Sequence, residues 1–326
     1  MSERNLPRDI EVDPDVTSSN DQESIRSDLT SLTESVYSHV YENGRTYHAY
    51  RPGQYVLPND ELEQDRLNIL HHIFRLCLDG ELTHTKLENP QKILDVGTGT
   101  GIWAIEVADE FPSAEVIGVD LSPIQPGWVP PNVLFIIDDV NQEWTFPSKS
   151  FDFIHFRGMG GSVEHWPSFL RQCWNHLKPG GRIEVGDVRP RIQCDDDSFP
   201  TDCYLRTWEA EFYRLAQIQG RMWDLVPEMR GLLEDAAFEN VQYTPYALPI
   251  GTWPKDANLK EIGKYFRAQL VDSAVEGYTL ALFTRFGDWK PSECQVMLAQ
   301  VRNELNSNKM HLYCLFAVFT AQKPLS

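Results

Sequence analysis

The sequence predicts an α/β fold: a doubly wound, mostly parallel sheet of seven strands, preceded by an N-terminal segment and extended by helical insertions. Three observations carry this expectation. Between Pro90 and Asp187 short apolar runs alternate with helix-like stretches; a Gly-rich turn joins the first run to a helix; and two further strand candidates follow Asp187. Strands that alternate with helices form parallel sheets covered on both faces.

The elements follow in order. Residues 1–35 are rich in Ser, Asp, Glu and Asn and nearly free of aromatics, the composition of a disordered acidic tail. From Tyr37 the run YSHVYENGRTYHAYRPGQYVLPND holds five tyrosines, two histidines and two arginines. It is poor core material but suits a segment lying over a ligand, so residues 36–90 are read as a lid and a helix. That helix, Glu61 to Leu78, places Leu67, Leu70, Phe74 and Leu78 at helical spacing. The main domain spans 91–326. Its strand candidates are KILDVG, EVIGVDL, VLFIIDDV, FDFIHF, GRIEVGDV, NVQYTPYALPI and HLYCLFAVFTAQ. VLFII lacks polar alternation, as expected of a central strand buried on both sides. The turn Lys178-Pro179-Gly180-Gly181 is expected to close the helix before GRIEV. Helical additions are expected at about 196–235 and 250–309.

Composition excludes several classes. Lys plus Arg total 29 against 48 Asp plus Glu, a formal charge of −19. Phosphate backbones bind clustered cations, so no direct nucleic-acid partner is expected. The longest strongly apolar run, Leu312 to Phe319, is far shorter than the roughly 20 residues that span a bilayer, so no membrane partner is expected either. MSERNLPRDI lacks the apolar stretch of a secretory signal. The six cysteines form no C-x-x-C pair, and neither a metal site nor a disulfide framework is indicated. The expected location is cytoplasmic.

The chemistry starts at KILDVGTGTGIWA. A strand runs into Gly97, Gly99 and Gly101 and then a helix near Ile102. Glycine there lets the chain reverse tightly and a ligand approach the backbone, and the new helix offers free N–H groups. The spacing is G-x-G-x-G, not the G-x-G-x-x-G of dinucleotide sites. Asp95, two residues before the first glycine, would repel a pyrophosphate but tolerates the cationic, phosphate-free S-adenosylmethionine. Asp120 ends the second strand, where a carboxylate can accept both ribose hydroxyls. Asp138 and Asp139 follow the third strand, placed for the adenine amino group, with the Val140 N–H for a ring nitrogen. The expected cofactor contacts are Asp95, Gly97, Thr98, Gly99, Gly101, Asp120, Leu121, Asp138, Asp139 and Val140.

These residues resemble those of class I S-adenosylmethionine-dependent methyltransferases, and more narrowly the fungal LaeA-like methyltransferases. The stretches that carry the resemblance are ENGRTYHAYRPGQYVLPNDELEQDR, ILDVGTGTGIWAIEVADEFP, VIGVDLSPIQPGWVPPNV, FDFIHFRGMGGSVEHWP, LKPGG and LPIGTWPKDANLKEIG, covering roughly residues 37–324. The resemblance implies a Rossmann-like methyltransferase fold, a seven-stranded sheet with a reversed last strand, and cofactor contacts at Gly97, Gly99, Asp120 and Asp139. His165 stands where the group leads one to expect an acid before the tryptophan. The group includes biosynthetic enzymes and a regulator of secondary metabolism, which leaves two functions open. One is O- or N-methylation of a small molecule in secondary-metabolite biosynthesis. The other is a nuclear regulator acting through protein partners.

Positioning supplies roughly 7–11 kcal/mol of barrier reduction and a general base roughly 3–5 kcal/mol. Placement therefore dominates, and loss of Asp120 or Gly99 is expected to harm more than loss of any histidine. Candidate bases are Tyr47, His48, His155 and His165; Arg45 and Arg157 are candidates to orient a substrate carboxylate. The aromatic stretch Tyr204 to Trp223 and the 250–309 insertion are expected to roof an apolar acceptor pocket.

Overall fold

The computed structural model describes residues 39–48 and 55–325; the acidic tail lies outside them. A hairpin comes first, β1 (His39–Glu42) and β2 (Arg45–His48). Asn43 and Gly44 make its turn with positive φ, as Asn-Gly turns do. Helix α1 (Glu61–Cys77) follows. Its cap, Asp60, accepts from the Glu63 N–H at 3.1 Å and also receives both Nε and Nη2 of Arg45, at 2.6 and 2.7 Å. One carboxylate thus caps a helix and ties the hairpin to it.

The main sheet comprises β3 (Lys92–Val96), β4 (Glu115–Asp120), β5 (Val133–Ile137), β6 (Phe151–Arg157), β7 (Leu177–Gln193), β8 (Glu239–Pro249) and β9 (Tyr313–Gln322). Their order is β5-β4-β3-β6-β7-β9-β8. The first five run parallel, and β9 enters antiparallel to both neighbours. This is the doubly wound sheet with a reversed last strand. The chain leaves β3 for one edge and returns to β6 on the other side, so the carboxyl ends of β3 and β6 border the crevice where such sheets bind ligands, with the end of β4 beside it.

Side-chain alternation buries both faces. Ile93, Val116 and Phe153 sit in register on one face under α2 (Ile102–Glu110), which contributes Trp103 and Val107. Leu94, Ile117 and Ile154 occupy the opposite face with residues of α3 (Trp166–His176) and α5 (Val226–Asp235). A third apolar cluster lies where α1 and α4 (Tyr204–Gln219) meet α6 (Ala257–Gln269), α7 (Val275–Phe286) and α8 (Pro291–Leu305). A π-helical turn, Leu270–Ala274, joins α6 to α7. Among the described residues no helix is long and apolar enough to cross a membrane.

Three local expectations change. VLFII forms β5 at the sheet edge, not its centre, and Leu134 is 52% exposed. Its apolar character serves Phe135, whose ring fills the space left by Gly101 and Gly118. The Lys178–Gly181 stretch belongs to β7; α3 ends at His176 and the chain continues extended. Finally, residues 196–203 are not helical. Helix α4 starts at Tyr204, and α5 is a separate helix.

Candidate active site

After β3 the chain turns through Gly97, Gly99 and Gly101, all at positive φ. The Gly97 and Thr98 N–H groups both donate to the Val119 carbonyl, at 2.8 and 3.0 Å, locking the turn against β4. A Cβ on Gly97 would lie 2.2 Å from Met159 Sδ, and one on Gly101 2.3 Å from the Phe135 ring. Gly97 to Thr100, Asp120 to Ser122, Asp138, Val140 and Asn141 line one cavity. Its far wall is Leu67, Leu70, His71 and Phe74 of α1, with Arg157, Met159 and Tyr278.

Asp120 is the acid of this cavity. Its Oδ2 accepts from the Gly99 N–H at 2.8 Å and its Oδ1 from the Ser122 N–H at 2.9 Å. Burial pushes its carboxyl up to about 6, against the lowering effect of those two bonds. Asp138 is also on the wall. Asp139 is not; its carboxylate holds the Asn141 backbone N–H at 3.0 Å and side-chain amide at 3.1 Å, and Asn141 reaches the cavity instead. Asp95 lies behind the turn, where it accepts from Thr98 Oγ1 at 2.6 Å. Gly101 likewise packs on Phe135 and does not line the cavity.

The candidate bases fall elsewhere. Parallel register sets His155 beside Asp95, Nδ1 to Oδ1 at 2.7 Å, with its ring stacked 3.7 Å from Trp103. It is a buried sheet histidine. His165 caps α3, accepting from the Ser168 N–H at 3.3 Å, and lines neither large cavity. Tyr47 and His48 are buried, and neither is on a wall of those cavities. Burial pushes the Tyr47 phenol up to about 12 and lowers His48. Arg45 is committed to Asp60.

Of the two candidate arginines, Arg157 reaches the cavity of the Gly-rich turn. Its Nη2 donates to His71 Nδ1 at 2.5 Å, which leaves His71 Nε2 to donate to Glu106 at 3.1 Å. The imidazole is thereby held neutral; burial and the Arg157 charge lower it to about 4. The guanidinium also lies 5.2 Å from the Phe74 ring centroid.

A second cavity adjoins the first, and Leu57, Arg66, Leu70, Phe74, Gly158 and Tyr278 border both. Trp208 and Phe212 of α4, Trp223, Phe266, Leu270 and Val275 supply most of its apolar wall. The helices of the 196–235 and 250–309 additions do cover it. The Trp208 and Trp223 indole N–H groups donate to Thr279 Oγ1 and Gln219 Oε1, at 2.7 and 2.8 Å. Arg66 is neutralised by a bidentate pair with Glu63, at 2.7 and 2.9 Å. Sequence reasoning missed Asp187, which lines this cavity from within β7, one residue past the last pair that β7 makes with β6. The signal was available, since GRIEVGDV carries an acid as its penultimate residue, toward the side where such sheets present ligands.

A family described as "Methyltransferase domain" matches residues 69–243. Methyltransferase pytC of Aspergillus terreus is 40% identical over 320 residues, 98% of this chain and 97% of the relative. A secondary metabolism regulator of Cochliobolus heterostrophus is 38% identical over 294 residues, covering 88% and 95%. Protein-methionine methyltransferase laeA of Emericella nidulans is 35% identical over 291 residues, covering 87% and 76%. With a Gly-rich turn and an acid sharing one cavity beneath a reversed-strand sheet, the chain belongs to the methyltransferase-domain family, as an S-adenosylmethionine-dependent enzyme of the fungal LaeA-like group.

Proposed function

We propose that the chain methylates a small, largely apolar acceptor in secondary metabolism, with S-adenosylmethionine against the Gly97–Thr100 turn and the acceptor in the adjoining cavity. The observation that carries this is the shared wall: a cavity fitted with glycine turn and acid opens onto one lined by tryptophan and phenylalanine. The residues present suit the nucleoside. Backbone approaches the cavity where a Cβ has no room, and a carboxylate rather than a phosphate-binding cation ends β4. When bound, S-adenosylmethionine supplies a methyl group on a cationic sulfur.

Asp120 would accept the ribose hydroxyls, Asp138 and the Val140 N–H would meet the adenine, and Arg157 would hold the methionyl carboxylate. Apolar walls exclude water from the acceptor side, and placement of the two reactants does most of the catalytic work. Calorimetry with S-adenosylhomocysteine on protein stripped of ligand tests the assignment. Asp120→Ala removes charge-assisted hydrogen bonds and is expected to weaken binding at least about tenfold. Wild-type affinity in that variant would remove the ribose from Asp120.

A second acceptor class has its own support in the name of the laeA relative, a protein-methionine methyltransferase. A methionine thioether is apolar enough for the second cavity. Methyl transfer to protein in native extract, traced with labelled S-adenosylmethionine, separates this from small-molecule methylation.

A further inference from the structure

Asp187 has no part in the cofactor cavity, yet it is a buried acid, 6% exposed, on the wall of the second one. Its Oδ2 accepts from the Gly160 N–H at 3.0 Å. Gly160 is fixed there, because a Cβ would lie 2.7 Å from the Trp223 carbonyl oxygen. No ion pair within 4 Å is made by Asp187 among the described residues. Gln269, on the same wall and 3% exposed, leaves its Oε1 without a hydrogen-bond partner. Buried acceptors are costly unless a donor meets them. Gln269 Oε1 has none, and the Asp187 carboxylate, held by the Gly160 N–H, borders the same cavity, whose indole N–H groups are already committed to Thr279 and Gln219. A bound molecule that brings its own donor would satisfy Gln269 and could also bond the Asp187 carboxylate.

We propose that the second cavity takes a flat, apolar molecule carrying a nucleophilic hydroxyl, and that Asp187 is the catalytic group that accepts the proton of that hydroxyl. This rests on the methyltransferase assignment above and names its acceptor. In the step, an oxygen lone pair forms the new O–C bond with the methyl group. The C–S bonding pair returns to sulfur, leaving a neutral thioether, and the O–H proton moves to the Asp187 carboxylate, which later releases it to solvent. Hydroxyl is favoured over an aliphatic amine because an ammonium ion would have to be desolvated and to give up its proton before it could attack, next to the cationic sulfur of the cofactor. A thioether nucleophile has no proton to give and leaves Asp187 without a task.

Burial pushes the Asp187 carboxyl up to about 7, so it can both take and release a proton near neutrality. The other titratable groups that border the cavity or act on it are Arg66, paired with Glu63; Asp224, paired with Arg189; Tyr278; and Cys314. None supplies a fixed cation free to hold Asp187 ionised at low pH.

The test uses the full-length protein saturated with S-adenosylhomocysteine, and 2-naphthol and naphthalene as probes. Binding is read through quenching of tryptophan emission, with Trp208→Phe assigning the signal to this cavity. At pH 8 wild type is expected to bind 2-naphthol about tenfold more tightly than naphthalene, the margin of one charge-assisted hydrogen bond. The margin is expected to narrow toward pH 6 and to fall below about threefold in Asp187→Asn, whose amide is a weaker acceptor. An equal margin in variant and wild type, a margin flat from pH 6 to 8, or no Trp208-dependent quench by either probe overturns the proposal. The pH series needs no variant, so it decides the question even if Asp187→Asn folds poorly. Loss of S-adenosylhomocysteine binding with an intact naphthol margin would overturn the cofactor placement and leave Asp187 in its role.

Discussion

The Asp187→Asn variant should gain stability relative to wild type as pH rises. In the native state the Asp187 carboxyl titrates at about 7, whereas in the unfolded chain it takes its ordinary value of 3.8. Between those values the native state holds a proton that the unfolded state has lost, so stability falls as pH rises. Because the folded value is the higher one, the loss develops from about pH 4 and is complete above pH 7. At 1.36 kcal/mol per decade, the interval from pH 5 to pH 8 removes roughly 2–3 kcal/mol from wild type through this group. Asn cannot ionise and keeps an acceptor for the Gly160 N–H. Any fixed cost of its NH₂ group is the same at both pH values and cancels in the comparison. Urea unfolding of both proteins at pH 5 and pH 8 measures the difference directly. A wild type and variant whose stabilities run parallel across that range would falsify the buried-acid argument, because Asp187 would then be ionised at little cost.

Other consequences can be checked with the same preparations. Asp120 is raised to about 6 and must be ionised to accept ribose hydroxyls, so S-adenosylhomocysteine affinity should drop about tenfold from pH 7 to pH 5; calorimetry showing equal affinity contradicts this. Gly101→Ala combines a positive φ with a Cβ 2.3 Å from Phe135 and should cost about 2–4 kcal/mol of stability. Gly44→Ala, at similar φ but with nothing within 4 Å, should cost about 1 kcal/mol, and equal losses by denaturant titration would show that packing on Phe135 is irrelevant. His155→Ala should lower stability by about 2–4 kcal/mol while leaving S-adenosylhomocysteine affinity unchanged, since the ring serves Asp95 and Trp103; an affinity loss with intact stability would return His155 to the site.

Strand and helix periodicity was enough to place all seven strands of the main sheet, because each carries an apolar run between polar turns. What periodicity cannot express is where a strand sits in the sheet. Val133–Ile137 reads as central on composition, yet lies at the edge, and only the three-dimensional fit of Phe135 against two glycines accounts for its apolar content. The cavity at the Gly-rich turn was partly legible because backbone conformation leaves its mark as glycine. Side-chain direction leaves none. Asp138 and Asp139 are adjacent, but only Asp138 reaches the cavity. Histidines attract attention as bases, whereas here His155 and His165 hold a strand and a helix end. The acid within β7 was passed over because its significance depends on Trp208, Phe212 and Trp223, residues that join it only after the chain has wrapped back over the sheet.

The position of β9 has a consequence for synthesis. It is threaded between β7 and β8, so until β9 is made β7 keeps one open edge and β8 has no partner strand in the sheet. Lys323 then closes the seam, its ammonium bonded to the Trp174 and Leu177 carbonyls at 2.7 and 2.8 Å. Until that moment the nascent chain carries open strand edges that any β-rich neighbour could engage. Maturation of this enzyme is therefore set by β9, and a premature stop anywhere upstream of Tyr313 should yield a sticky, chaperone-bound polypeptide rather than a weakened catalyst.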